Sequence, residues 1–404
     1  MRLLCAGPTA GAEISAELPE DTNPAVLYLR EFLMLPDSEE TSAGEQFRRG
    51  LADDEARAFL ESNRFEDRFQ RLMIVRSLTG VCDWGDDLSQ GPYLLLPHLS
   101  PARELAYAAA LQARVSLADG SMERAVEGLL VADRLAADVA STPILINLLV
   151  SYAIEGILTN VLSEDLGAWD EDSLRDLALG LMDRPEKKTV ADAVDVEEVS
   201  MLGWMERRIL NIRTEFSDDV AAQEKVLAGE LKELFEMSSG TLEDEALDSS
   251  DAVLEMLELI NEAKPAYREL KRLCLLPLSE ALPAVRKFEE EVISGSDNMI
   301  LRLVMPSISR VVVVAMESQL RRAMLLAAID VHLSGAGALE RHKDPLTGEP
   351  FVREPFLHEG SEIGFTLESR IEGDLDKRRL FIVNPVDVRF QLVGDELGSP
   401  ESAD

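Results

Sequence analysis

Apolar positions along this chain recur mainly at the three- and four-residue spacing of an α-helix. In "NPAVLYLREFLMLP", Asn23 to Pro36, Pro24 suits a first helical turn, and Val26, Leu27, Leu29, Phe32 and Leu33 form an apolar face. "DDEARAFLESNRFEDRFQRLMIVRSLTG" predicts two amphipathic helices, or one broken helix, ending near Gly80. Gly85, Gly91, Pro92 and Pro97 then forbid a continuous helix through "VCDWGDDLSQGPYLLLPHL". In "AYAAALQARVSLADGSMERAVEGLLVADRLA", Gly120 supplies a turn, and Ala113, Ala125 and Ala132 let two antiparallel helices approach closely.

"TPILINLLVSYAIEGILTNVL", Thr142 to Leu162, approaches the ~20 apolar residues of a membrane span. Asn147, Ser151, Glu155 and Thr159 recur at every fourth position, however, so a core helix with a polar seam is expected. A second apolar stretch, Met299 to Leu333, is interrupted by Pro306 and carries Arg302, Arg310, Glu317, Arg321 and Arg322. Neither stretch is expected to span a membrane. Between them, Leu174 to Phe288 reads as amphipathic helix with acidic surfaces. Its densest acidic run, "SSGTLEDEALDSSDAVLEMLELINEA", reads as a loop leading into a helix near Asp251. Beyond Ser334 the period changes. Ile363, Phe365 and Leu367 share one parity, followed by "LFIV" and "VDVRFQLV", which predicts a small antiparallel sheet from Phe351 to about Val393.

The expected fold is therefore mostly α: an irregular helical bundle with one tetratricopeptide-like hairpin and a small C-terminal antiparallel β meander. The expected divisions are a flexible N-terminal segment over 1–22, a helical domain over 23–335, a β subdomain over 336–393 and a polar tail over 394–404.

Charge narrows the function classes. The 404 residues include 76 Asp plus Glu against 40 Lys plus Arg, a net charge of −36. Such an excess repels phosphate backbones and anionic lipid, so no nucleic acid is expected as a partner, and a basic protein is the natural one. Cys5, Cys82 and Cys274 are too few and too scattered for a disulfide framework or a zinc array. The start, "MRLLCAGPTAGAEIS", has an apolar run shorter than the ~7–15 residues of a signal-peptide core. As written the chain is expected in the cytoplasm, and export is expected if this start is a clipped signal peptide.

No Gly-rich phosphate loop, H-E-x-x-H, G-x-S-x-G or EF-hand spacing is present, so no cofactor is expected. Three groups of polar residues remain. Cys82, Asp83 and His98 could hold a metal, but a site needs four ligands at short spacings, and a packed interhelical connector explains the same residues together with Trp84. His342, Asp344, His358 and Glu359 flank a C-terminal turn and could coordinate a divalent ion, although His and Asp are ordinary turn residues. Glu155 is the best candidate for a buried acid. A buried carboxylate takes up a proton or finds a cation, and Arg310 or Arg321 from the second apolar helix is the expected partner.

The hairpin resembles a single 34-residue tetratricopeptide unit, with small residues at Ala113, Gly120, Ala125 and Ala132, but Gln112 and Ser116 where bulkier residues are usual. "VCDWGDDLSQGPYLLLPHLSPARELAYAAALQARVSLADG" and "DPLTGEPFVREPF" together resemble segments of uncharacterised helical proteins of planctomycete-type bacteria. The second is also similar to the turn that ends the globular part of type II secretion pseudopilins. The resemblance implies a helical fold and carries no activity. The function expected from these readings is a non-enzymatic scaffold or protein–protein interaction protein with an acidic helical surface. The alternative is a hydrolase-like or metal-dependent enzyme with carboxylates in a helical cleft.

Overall fold

Side chains that cap the first turn set where several of the helices begin. In a computed structural model, which describes residues 19–35, 42–50, 52–237, 252–305, 307–358, 361–371 and 379–383, there are fifteen α-helices and three strands. Asn23 Oδ1 accepts from the Ala25 amide at 3.0 Å and opens α1 (Pro24–Phe32). Ser42 caps α2 (Ala43–Arg48), and Asp53 caps α3 (Asp54–Ser62). Arg64, in the left-handed region at φ 51°, separates α3 from α4 (Phe65–Leu72). The reading of two helices before Gly80 therefore holds.

The centre of the bundle is built from α5 (Leu99–Ala118), α6 (Met122–Val139) and α7 (Leu145–Asp165). Between α5 and α6, Gly120 adopts φ 72°, the conformation for which glycine was expected there. Ala113, Ala125 and Ala132 are buried, and a Cβ on Gly128 would lie 3.2 Å from the Ala109 carbonyl, so small residues do set the close approach of the two helices. Asp170 caps α8 (Glu171–Met182), and Thr189 with Asp192 forms a capping box on α9 (Val190–Glu197). There follow α10 (Gly203–Glu215), α11 (Val220–Met237), α12 (Ala252–Cys274), α13 (Leu278–Phe288), α14 (Met299–Val304) and α15 (Ile308–Ser334).

Helix α7 runs between α5, α6 and α15. Its Leu148, Ile154, Val161 and Leu162 are fully buried, each contributing about 1.5–3 kcal/mol of apolar transfer. Its polar stripe is buried too and finds partners inside the protein. Asn147 Nδ2 donates to Thr142 O at 3.0 Å, Ser151 Oγ to Ala136 O at 2.5 Å, and Thr159 Oγ1 to Glu155 O at 3.0 Å. Leu145–Glu164 and Met299–Ser334 are long and apolar enough to cross a membrane by length and composition; a core helix passes the same test, and most of the first stretch is buried in this fold.

The sheet is β1 (Val352–His358), β2 (Ser361–Glu368) and β3 (Arg379–Val383), antiparallel in that order. Phe365 stands opposite Pro355 on one side and Ile382 on the other. Pro355 is tolerated because β1 is an edge strand. Phe365, Leu367, Leu380 and Ile382 are buried, and β3 packs on α7 and α15. The expected strand "VDVRFQLV", the acidic run from 238 to 251, Cys5, Pro306 and Glu359 lie outside the described residues.

Helix α1 departs from its sequence pattern. Val26, Leu29 and Leu33 are exposed, Leu33 to 89%, while Tyr28 and Glu31 point inward. The reason is polar. Glu31 accepts from Arg68 Nε at 3.1 Å and from Arg71 at 2.8 and 2.9 Å, and Tyr28 Oη donates to Asp138 at 2.9 Å. These pairs outweigh the apolar face in orienting so short a helix.

Candidate functional site

Glu155 is the hub of a buried charge network that joins α6, α7, α15 and the segment after α8. Arg184 Nη1 donates to its Oε1 at 2.6 Å, and Lys187 Nζ lies 3.1 Å from the same oxygen, an ion pair set outside hydrogen-bonding angles. The Ser318 hydroxyl of α15 donates to Oε2. Asp133 on α6 extends the network, accepting from Arg322 Nη1 at 2.8 Å and from Arg184 at 3.4 Å. Lys187 Nζ also sits 3.8 Å above the Tyr152 ring.

Burial alone would raise the Glu155 pKa, but Lys187 and Arg184, then the Ser318 hydroxyl, overcome it and hold the carboxyl down at about 2. Burial wins for Lys187, which is lowered to about 8 despite Glu155 beside it. Glu155 is therefore ionised at neutral pH and fully engaged. Beside it, Tyr152, Thr159, Ser318, Arg321 and Arg322 line a void of about 20 Å³. That is room for one water and no substrate.

The expected partners of Glu155 were Arg310 or Arg321, and neither pairs with it, although Arg321 lines the same void. Arg310 is exposed at the start of α15, and Arg321 bonds Glu317 on its own helix at 3.2 Å. On α15, Ser318 and Arg322, one turn apart, are the residues that reach the network. The cations come instead from the segment after α8, where Arg184 and Lys187 sit without helical periodicity. The only sequence signal for them was a cationic cluster, "RPEKK", after a run of acidic helix.

The stretch containing Cys82, Asp83, Trp84 and His98 is a packed connector. Trp84 is half-buried; its Nε1 donates to Asp138 O at 2.8 Å, and its ring stacks on Tyr28, Phe32 and His98. The Asp83 backbone exchanges two hydrogen bonds with the Asn23 side chain, at 2.7 and 3.0 Å. Cys82 is buried, and burial, reinforced by Asp138, pushes its thiol far above the usual range despite Arg134. It is a protonated core side chain and no nucleophile. His98 Nδ1 lies 3.7 Å from Asp86, and burial holds its pKa below the ordinary value against that carboxylate.

At the C-terminal turn, His342 and Asp344 do not converge. His342 Nε2 is 2.8 Å from Asp330 of α15. Asp344 is buried and accepts from the Leu346 amide at 2.8 Å and from the Ser369 hydroxyl, tying the turn to the end of β2. The His358 side chain, like Glu359, is outside what the structure describes. Among the described residues no three His, Cys, Asp or Glu side chains gather where they could hold a metal ion. No protein-family model matches this chain, and no curated protein or solved structure matches it either.

Proposed function

We propose that this chain is a non-enzymatic scaffold whose acidic helical surface holds a basic protein partner. The observation that carries this reading is the engagement of Glu155: the carboxylate best placed for chemistry is bound by two cations and a hydroxyl beside a void of about 20 Å³. A catalytic acid needs access to substrate and a pKa near the working pH, and Glu155 has neither. Two other inward carboxylates are matched in the same way, Glu31 by Arg68 and Arg71, and Asp138 by Arg134. The net charge of −36 attracts cationic surfaces and repels phosphate.

Native co-purification of the full chain with chemical cross-linking, repeated at graded salt, tests the reading. A basic partner cross-linked to the helical surface and released as salt rises is the expected result. Recovery of the chain alone, with turnover of a substrate that Glu155→Gln abolishes while leaving the fold intact, would overturn it in favour of an enzyme.

A further inference from the structure

A groove of about 400 Å³ opens between α12, the end of α13 and α14. Its floor is apolar: Pro265 and Ala266 on α12, Phe288 ending α13, Val292 just beyond, and Leu301 on α14. Val292 belongs to the π-helical turn Glu289–Ile293 and is 39% exposed. The two charged residues lining the groove, Glu262 and Glu269, are both carboxylates. They stand seven positions apart on one face of α12, about 10 Å along the axis. Glu269 is held by Arg272 at 2.6 and 2.8 Å, so the acidic character is strongest at the Glu262 end. Glu258, one turn before Glu262, and Asp297, between the lining residues Ser296 and Asn298, are exposed and add to it.

From this geometry we infer that the groove seats a basic amphipathic helix of the partner, a deeper reading that rests on the scaffold function proposed above. An apolar trough with an acidic rim matches a helix whose apolar residues recur at i, i+3 or i+4 and i+7, bordered by Lys and Arg. The trough is about two turns long and accepts two or three such anchors. Charge selects against the other occupants. A second copy would bring a surface of net charge −36 to an acidic rim, and the chain's own 238–251 segment carries Glu243, Asp244, Glu245, Asp248 and Asp251 with no Lys or Arg.

The test uses the full chain and a fluorescent 18-residue Leu/Lys amphipathic peptide, with a scrambled peptide of the same composition as reference. The amphipathic peptide should bind about tenfold more tightly than its scramble. Val292→Arg and Glu262→Lys should each abolish that difference, whereas Glu340→Lys, on the turn after α15, should leave it intact. Val292 and Glu262 are solvent-accessible, and unchanged melting temperatures for both variants confirm that the fold is kept. Equal binding of the two peptides, or groove variants that bind like the wild type, would overturn the groove while leaving the scaffold reading standing on the rest of the acidic surface. Failure to bind either peptide at low salt would remove both. Self-association that Val292→Arg abolishes would assign the groove to a second copy and overturn the inference.

Discussion

Trp84 and His98 lie face to face, ring centroids 4.5 Å apart and planes 6° from parallel. The indole is pinned from its other end by the bond from Nε1 to Asp138 O, and Asp138 in turn takes the Tyr28 hydroxyl. One stack thus joins the connector, α1 and the C-terminal end of α6.

The pKa of His98 gives that stack a pH signature. Burial lowers it below the usual imidazole value of 6.5, so the unfolded chain takes up this proton before the folded one does. The unfolded state then binds more protons in that window, and acid favours it. The contribution of His98 is complete above about pH 6.5 and is lost as pH falls through the lower folded value. Melting followed by Trp fluorescence should show this loss, and His98→Gln should flatten it. An unchanged slope in His98→Gln would place the titration elsewhere.

Glu155 belongs to Arg184 and Lys187, and variants can show it. Glu155→Leu alone should cost about 3–5 kcal/mol, because it strands buried cations. Adding Lys187→Met should recover part of that cost, whereas adding Arg321→Met should recover none. Urea midpoints for the single and double variants measure the coupling. Rescue by Arg321→Met in place of Lys187→Met would refute the pairing.

The same carboxylate resists acid. Its pKa is held at about 2 against an ordinary 4.5, so the unfolded state gains this proton first as pH falls. Stability from Glu155 is present above about pH 4.5 and is lost between there and about pH 2, up to about 3 kcal/mol in all. Glu155→Gln should shrink this part of the acid unfolding curve, as read by circular dichroism.

Gly91 is where the connector meets α10. It adopts φ 57°, and a Cβ there would lie 2.3 Å from Trp204 Cγ. Gly91→Ala therefore meets both backbone strain and a clash, and should destabilise by about 2–4 kcal/mol in urea unfolding. A midpoint equal to the wild type would show that Trp204 does not rest on Gly91.

Much of the architecture was legible because its causes are local. Asn23 before Pro24 marks a helix start through one side-chain bond to the backbone. Gly120 marks a hairpin turn because φ 72° is open to glycine. The fourfold spacing from Asn147 to Thr159 places these residues on one side of a helix, whatever surrounds it. Alternation around Phe365 and Leu367 did the same for a strand. The outward turn of Val26 and Leu33 was not legible, because it depends on Glu31 meeting arginines from α4.

The candidate site divides along the same line. The sequence by itself determined that Glu155 lies on the polar seam of an apolar helix and needs a cation, because a carboxylate among Ile154, Ile157 and Leu158 cannot stay buried alone. Only the tertiary structure decided which cation. Arg184 lies 29 residues from Glu155 and Ser318 163 residues away, and no periodicity along the chain spans such gaps. Helical and strand patterns report forces that act within a few residues, whereas ion pairing depends on which segments the packed bundle brings within a few ångströms of each other.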